Sequence, residues 1–168
     1  MTSLTPEENR ALAFLDDAHA PMLAAIESWA AINTGSRNLM GLAQYADVLA
    51  EAFAPLGGEV RRVPPAPVEA VDAAGRPYAL AHGDNLHIVM DRPANKRALL
   101  TGHMDTVFPA DHPFQALRWL ADGVLNGPGV ADMKGGIAVM LWALKCFEAS
   151  PFASQLGWEI VLNSDEEV

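Results

Sequence analysis

A chain of 168 residues, 51% hydrophobic and 19% charged, is long and apolar enough for one folded domain with its own core, which argues against a disordered polymer. Its formal net charge of -10 argues against a nucleic-acid partner, whose phosphates require a basic surface. The single cysteine, Cys146, excludes an internal disulfide, and the longest apolar run, Ile137 to Leu144, is too short to span a bilayer.

The first residues have no basic start, and Glu7 and Glu8 stand where a signal peptide would be apolar. The reading is therefore of a soluble, cytoplasmic protein with no membrane partner. Thr5-Pro6-Glu7-Glu8 predicts a helix start: a capping hydroxyl, proline in the first turn, and acids near the positive dipole end. Helical spacing of apolar residues continues to about Ile32, and Asn33-Thr34-Gly35-Ser36 breaks it. A second helix is expected from Asn38 to Phe53, with Asn38 as its cap and Pro55 and Gly57-Gly58 beyond its end.

Short strands are expected over Glu59–Val63, Leu86–Met90 and Ala98–Thr101, the last as a buried parallel strand, with Pro64–Pro67 as a surface connection. Trp119–Leu125 reads as an edge strand or hairpin turning at Asp122-Gly123. Met133–Glu148 reads as a helix packed on the sheet, and Glu159–Leu162 as a final buried strand. Trp29, Trp119, Trp142 and Trp158 are assigned to core or partly buried packing. Strands alternating with helices predict an α/β fold.

Three groups of residues carry chemistry, each where a strand ends or a helix begins, which is where open α/β sheets place their sites. His103 lies in L-L-T-G-H-M-D-T-V, and Asp105 stands where it could accept the second ring N–H of a metal-bound imidazole. Asp132 lies in G-P-G-V-A-D-M-K-G-G. Glycines there suit a loop that brings a carboxylate into close contact, and a carboxylate can bridge two cations. The alternative is that Asp132 merely caps the following helix. Asp165-Glu166-Glu167 follows an apolar run: one glutamate could bind metal while its neighbour takes a proton from water, or all three could be loop solvation. Lys134 either tunes charge near the cations or helps cap a helix. His19, His82, His87 and His112 have no flanking ligand pattern.

Together these strings resemble the di-zinc peptidase and deacylase family that includes acetylornithine deacetylase, succinyl-diaminopimelate desuccinylase, aminoacylases and glutamate carboxypeptidase. The separations from His103 to Asp132 and from Asp132 to Glu167 are similar to that family's, as is I-N-T-G-S-R-N-L-M-G from Ile32 to Gly41. The resemblance implies a three-layer sandwich with a mostly parallel sheet flanked by helices, incomplete in this chain. It implies two Zn2+ ions per complete site, with Co2+ or Mn2+ acceptable to the same nitrogen and oxygen donors.

The resemblance also implies roles. His103 and Glu167 are terminal ligands, Asp132 is the bridging carboxylate followed by a cis peptide bond, Asp105 orients His103, and Glu166 is the general base. The expected substrate is an N-acyl amino acid or a short peptide with a free carboxylate. Family members run more than twice this length. Residues 1–168 are thus expected to be the N-terminal part of a catalytic domain, without the lid or dimerisation domain and the C-terminal part that supply further ligands. Alone they would bind zinc weakly, because catalytic zinc usually has three protein ligands. The full-length form is expected to be able to pair as a homodimer. The alternative is a catalytically inactive remnant or a binding module.

Overall fold

In the computed structural model, which describes residues 3–167, the first turn closes as its sequence predicts. The Thr5 hydroxyl accepts from the Glu8 N–H at 3.2 Å, and the Glu8 carboxylate accepts from the Thr5 N–H at 2.7 Å, opening α1 (Pro6–Leu12). The single helix expected up to Ile32 is two. A 3-10 turn over Ala13–Leu15 separates α1 from α2 (His19–Ala30). Pro21 explains the break: without an N–H, and with a ring that collides with the preceding turn, it is tolerated only in the first turn of a helix, so α2 must begin just before it. Helix α3 (Leu39–Phe53) starts where expected, with Asn38 Oδ1 accepting from the Gly41 N–H at 3.2 Å. It runs out through a turn over Ala54–Leu56 into Gly57, whose φ of 79° favours glycine.

The chain then forms β1 (Glu59–Val63), β2 (Val68–Val71), β3 (Pro77–Leu80), β4 (Asn85–Met90), β5 (Lys96–His103), β6 (Arg118–Ala121), β7 (Val124–Asn126), α4 (Gly135–Glu148) and β8 (Leu156–Asn163). The β2–β3 hairpin was not foreseen. Its signal is Asp72, whose Oδ1 accepts from the N–H groups of Ala74 and Arg76, followed by Gly75. The β6–β7 hairpin turns at Asp122-Gly123 as expected, but Trp119 on it is 50% exposed. The hairpin has no larger sheet behind it, and the indole only reaches Glu27 Oε1 at 3.2 Å.

The central sheet has the order β1-β4-β8-β5. It is mixed rather than mostly parallel: β5 and β8 are parallel, whereas β1–β4 and β4–β8 are antiparallel. Connection length decides this. Five residues between β4 and β5 reverse the chain, whereas the route from β5 to β8 carries α4 as a crossover and restores direction. Strand β8 therefore runs with β5 and against β4.

Leu86, Ile88, Trp158, Ile160 and Leu162 bury one face of the sheet against a core that includes Trp29 of α2, Leu42, Tyr45, Leu49 and Phe53 of α3, and Ile137 and Leu141 of α4. The opposite face is more open, and Leu99 of β5 is 65% exposed. The described residues thus form two layers of an α/β sandwich. Strand β5, expected to be buried, is an edge strand among them. Among the described residues, no helix is long and apolar enough to cross a membrane.

Candidate metal centre

The parallel pair β5–β8 ends in register, His103 opposite Asn163, so both strands deliver their next residues to one edge of the sheet. His103 closes β5, and Ser164 to Glu167 follow β8 at once. The third contribution comes from the loop before α4. Gly129 there has φ of 72° and lies against the Lys134 side chain and Thr106, so the loop requires glycine at this point.

Asp105 is completely buried and is the hub of the site. Its Oδ2 accepts from the Ser36 hydroxyl at 2.6 Å and from the Glu167 N–H at 3.1 Å, and its Oδ1 accepts from the Glu166 N–H at 3.1 Å. His103 Nδ1 lies 3.2 Å from Asp105 Oδ1 and 3.1 Å from the Asp105 carbonyl oxygen. These contacts hold the imidazole so that Nε2 faces Asp132 Oδ1 at 2.9 Å. Asp105 therefore orients the histidine through its carbonyl oxygen and nearby charge, and fixes the backbone of both glutamates through its carboxylate.

Asp132 does not cap α4. The residue before that helix is Lys134, which makes no side-chain cap bond, and Asp132 itself is non-helical at φ -127° and ψ 102°. The Asp132–Met133 peptide bond is cis. Met133 Sδ accepts from the His103 N–H at 3.2 Å, and a Cβ on Gly102 would fall 2.7 Å from Met133 Cε, so the loop and the end of β5 are in close contact.

Lys134 points away from the carboxylates into the core. Its Nζ donates to the carbonyls of Trp29 at 3.1 Å and Ile32 at 2.7 Å and lies 4.9 Å from the centre of the Tyr45 ring. It thus closes the C-terminal end of α2 and ties it to the loop that carries Asp132. Burial lowers the Lys134 pKa to about 8. Between that value and the ordinary 10.5 the unfolded chain binds more protons than the folded one, so stability should rise with pH across this window. Lys134→Ala should abolish that slope and cost about 3 kcal/mol at neutral pH, through a cavity and two carbonyls left short of a donor. Denaturant unfolding at pH 7 and pH 10 reads both effects.

Ligand-type atoms of His103, Glu166 and Glu167 all lie within 4.8 Å of one another. With Asp132 in contact with His103, the residues expected at the site are brought together, and Glu166 and Glu167 both belong to the cluster. Among the described residues, no lysine or arginine forms an ion pair with Asp132, Glu166 or Glu167. The Glu167 pKa is raised, by desolvation first and then by the nearby Asp132 carboxylate. Burial alone would lower the His103 pKa, but the hydrogen bond to Asp132 and the charge of Asp105 outweigh it, and the net shift is upward. One imidazole and three carboxylates converging without a partner cation suit a divalent metal ion.

The sign of the pH effect follows. Both groups bind protons more readily in the folded state, so their contribution to stability is present at low pH. It fades as pH rises from 4.5 for Glu167 and from 6.5 for His103 through their folded values. The metal-free protein should lose stability between pH 6 and 8. Zn2+, which needs deprotonated ligands, should bind more tightly across the same interval and reverse the trend. Unfolding at the two pH values with and without Zn2+, in wild type and His103→Gln, measures this. A trend unaltered by His103→Gln would assign it to other groups.

Three contributors had no sequence signal of their own: Ser36, Met133 and His82, which contacts Asp165. Ser36 lies in a stretch picked out only as a string, with no ligand spacing. His112, which has no flanking ligand pattern, accepts from the Phe114 N–H at 3.0 Å and packs on Phe108 within its own loop.

Residues 99–168 match the model of peptidase family M20/M25/M40. The chain is 41% identical over 83 residues to succinyl-diaminopimelate desuccinylase 2 of Shewanella loihica, an alignment covering 46% of this chain and 21% of that protein. It is 28% identical over 151 residues to carboxypeptidase G2 of a Pseudomonas species, covering 90% of this chain and 34% of that one. In fold it is similar to human carnosine dipeptidase 1, with a TM-score of 0.76 at 20% identity over 98% of this chain and 36% of that one. The chain thus spans between a fifth and about a third of the length of these curated relatives.

Proposed function

Because residues 99–168 match the model of peptidase family M20/M25/M40, we propose that the whole protein is a metal-dependent hydrolase that cleaves the amide bond of an N-acyl amino acid or of a short peptide with a free carboxylate. The observation that carries this reading is the convergence of His103, Asp132, Glu166 and Glu167 at one end of the β5–β8 pair, with Asp105 buried behind them. Residues 1–168 are read as the N-terminal part of the catalytic domain. A lid or dimerisation domain and the remainder of the catalytic domain belong to the rest of a longer, cytoplasmic protein able to form a homodimer.

In this reading His103 and Glu167 would each hold a cation, with Asp132 as a further ligand of the site. Zn2+ is the expected ion, with Co2+ or Mn2+ as substitutes. Cations bound there would supply polarisation of the scissile carbonyl and a more acidic water. Glu166, the more exposed of the two glutamates, takes the proton of the attacking water and returns it to the departing amine. Asp105 keeps the His103 imidazole in one tautomer and fixes the main chain under Glu166 and Glu167, so neither carboxylate must reorganise during the reaction.

The test is hydrolysis by the full-length protein. N-acyl amino acids, including N-succinyl and N-acetyl derivatives, and dipeptides with a free C-terminus should be cleaved. Activity should vanish on dialysis against a chelator and return with Zn2+ or Co2+. Zinc-loaded protein that cleaves none of these, or cleavage indifferent to the chelator, would defeat the proposal.

A further inference from the structure

The acidic turn has a second anchor, on the side away from Asp105. His82 lies between β3 and β4, and its side chain is only 5% exposed. Its Nδ1 is 2.5 Å from Asp165 Oδ2. Nε2 is buried with no hydrogen-bond partner among the described residues, so it is best left as the lone-pair nitrogen, which puts the ring proton on Nδ1. Arg37 Nη1 also approaches Nδ1, at 3.3 Å. A guanidinium can only donate, so the two N–H groups compete, and the shorter contact to the carboxylate decides. The neighbouring residue repeats the link: the Ser164 hydroxyl donates to the Gly83 carbonyl at 2.6 Å. A Cβ on Gly83 would stand 3.2 Å from Ser164 Cβ, so the two segments are in contact there.

Asp105 thus fixes residues 166 and 167 through their N–H groups, while residues 82 and 83 fix 164 and 165. A turn pinned at one end can still rotate its side chains about that end. Pinned at both, it holds the directions of Glu166 and Glu167. We propose that His82 is a positioning residue: through Asp165 it sets the geometry of the acidic turn, and so the affinity and coordination of the metal bound by the neighbouring carboxylate. This role rests on the metal-site reading above.

The experiment uses the full-length protein and the metal alone. Zn2+ affinity is measured by competition with a chromophoric chelator, coordination by the visible spectrum of the Co2+ form, and folding by the Tm of the metal-free protein. His82→Leu should weaken Zn2+ binding by about tenfold or more and alter the Co2+ spectrum. His82→Asn, whose amide nitrogen can stand near the place of Nδ1, should restore both, a rescue that a purely packing role would not give. Asp165→Ala removes the acceptor from the more exposed side of the pair and must reproduce the loss, which keeps the test decisive if His82→Leu does not fold. Wild-type affinity and spectrum in folded His82→Leu, or in Asp165→Ala, overturns the proposal. Zn2+ binding by the wild-type protein that is indifferent to His103→Ala overturns the metal reading itself. That failure is scored on a different residue from the failure of His82.

Discussion

Glu166→Gln in the full-length protein should leave the bound zinc unchanged and lower kcat by about 10²- to 10⁴-fold, the usual contribution of a positioned general base. The substitution is nearly isosteric, and what ties residue 166 to the site is its main-chain N–H on Asp105, which the amide variant keeps. The side chain itself is exposed, so stability should change by no more than about 0.5 kcal/mol. KM should move little, because a proton acceptor acts in the transition state rather than on the bound substrate. Metal analysis beside steady-state kinetics separates two roles that proximity leaves equal, since Glu166 and Glu167 both lie within 4.8 Å of the other ligand atoms. Loss of zinc would make Glu166 a ligand. Full turnover with zinc retained would remove it from proton transfer.

The residues that meet at the candidate site were legible in the sequence because each sits at a break between apolar periodicity and a polar or glycine-rich turn. His103, Asp132 and the acidic triplet all mark such breaks, and all lie at the same end of the β5–β8 pair. Of the residues that hold the donors, Asp105 was legible two positions beyond His103, whereas Ser36 and His82 were not. Ser36 reaches Asp105 across 69 positions, and His82 reaches Asp165 from another loop, so neither leaves a local pattern. Lys134 shows the same limit from the other side. Its place beside Asp132 suggested charge tuning, but its four-carbon stem carries the ammonium to carbonyls at the end of α2.

The fold divided in the same way. Helix starts were readable from Thr5 and Asn38 because a cap is a local hydrogen bond. The break before α2 was missed because apolar spacing runs on past Pro21 and hides its backbone effect. Strand direction depends on which strand enters between β4 and β5, a choice made by the α4 crossover rather than by any strand's own residues.

The second large effect is expected at Asp105, where Asp105→Asn should weaken Zn2+ binding by about tenfold to a hundredfold and destabilise the metal-free protein by about 2 kcal/mol. The carboxylate accepts three donors, the Ser36 hydroxyl and the Glu166 and Glu167 N–H groups, and its Oδ1 lies 3.2 Å from His103 Nδ1. An amide offers one accepting oxygen and turns its NH2 toward the other pair. The Ser36 hydroxyl can rotate to accept. A backbone N–H cannot, so in either orientation one glutamate N–H faces a donor at a site without solvent. Loss of the negative charge also removes a force that raises the His103 pKa, so the imidazole should titrate lower in the variant although its hydrogen bond to the residue 105 carbonyl remains. Chelator competition and denaturant unfolding measure the two losses, and the NMR titration of His103 in the metal-free protein measures the third. If affinity, stability and titration all matched wild type, Asp105 would be a bystander, and the common origin assigned here to the histidine's direction and the glutamates' placement would be wrong.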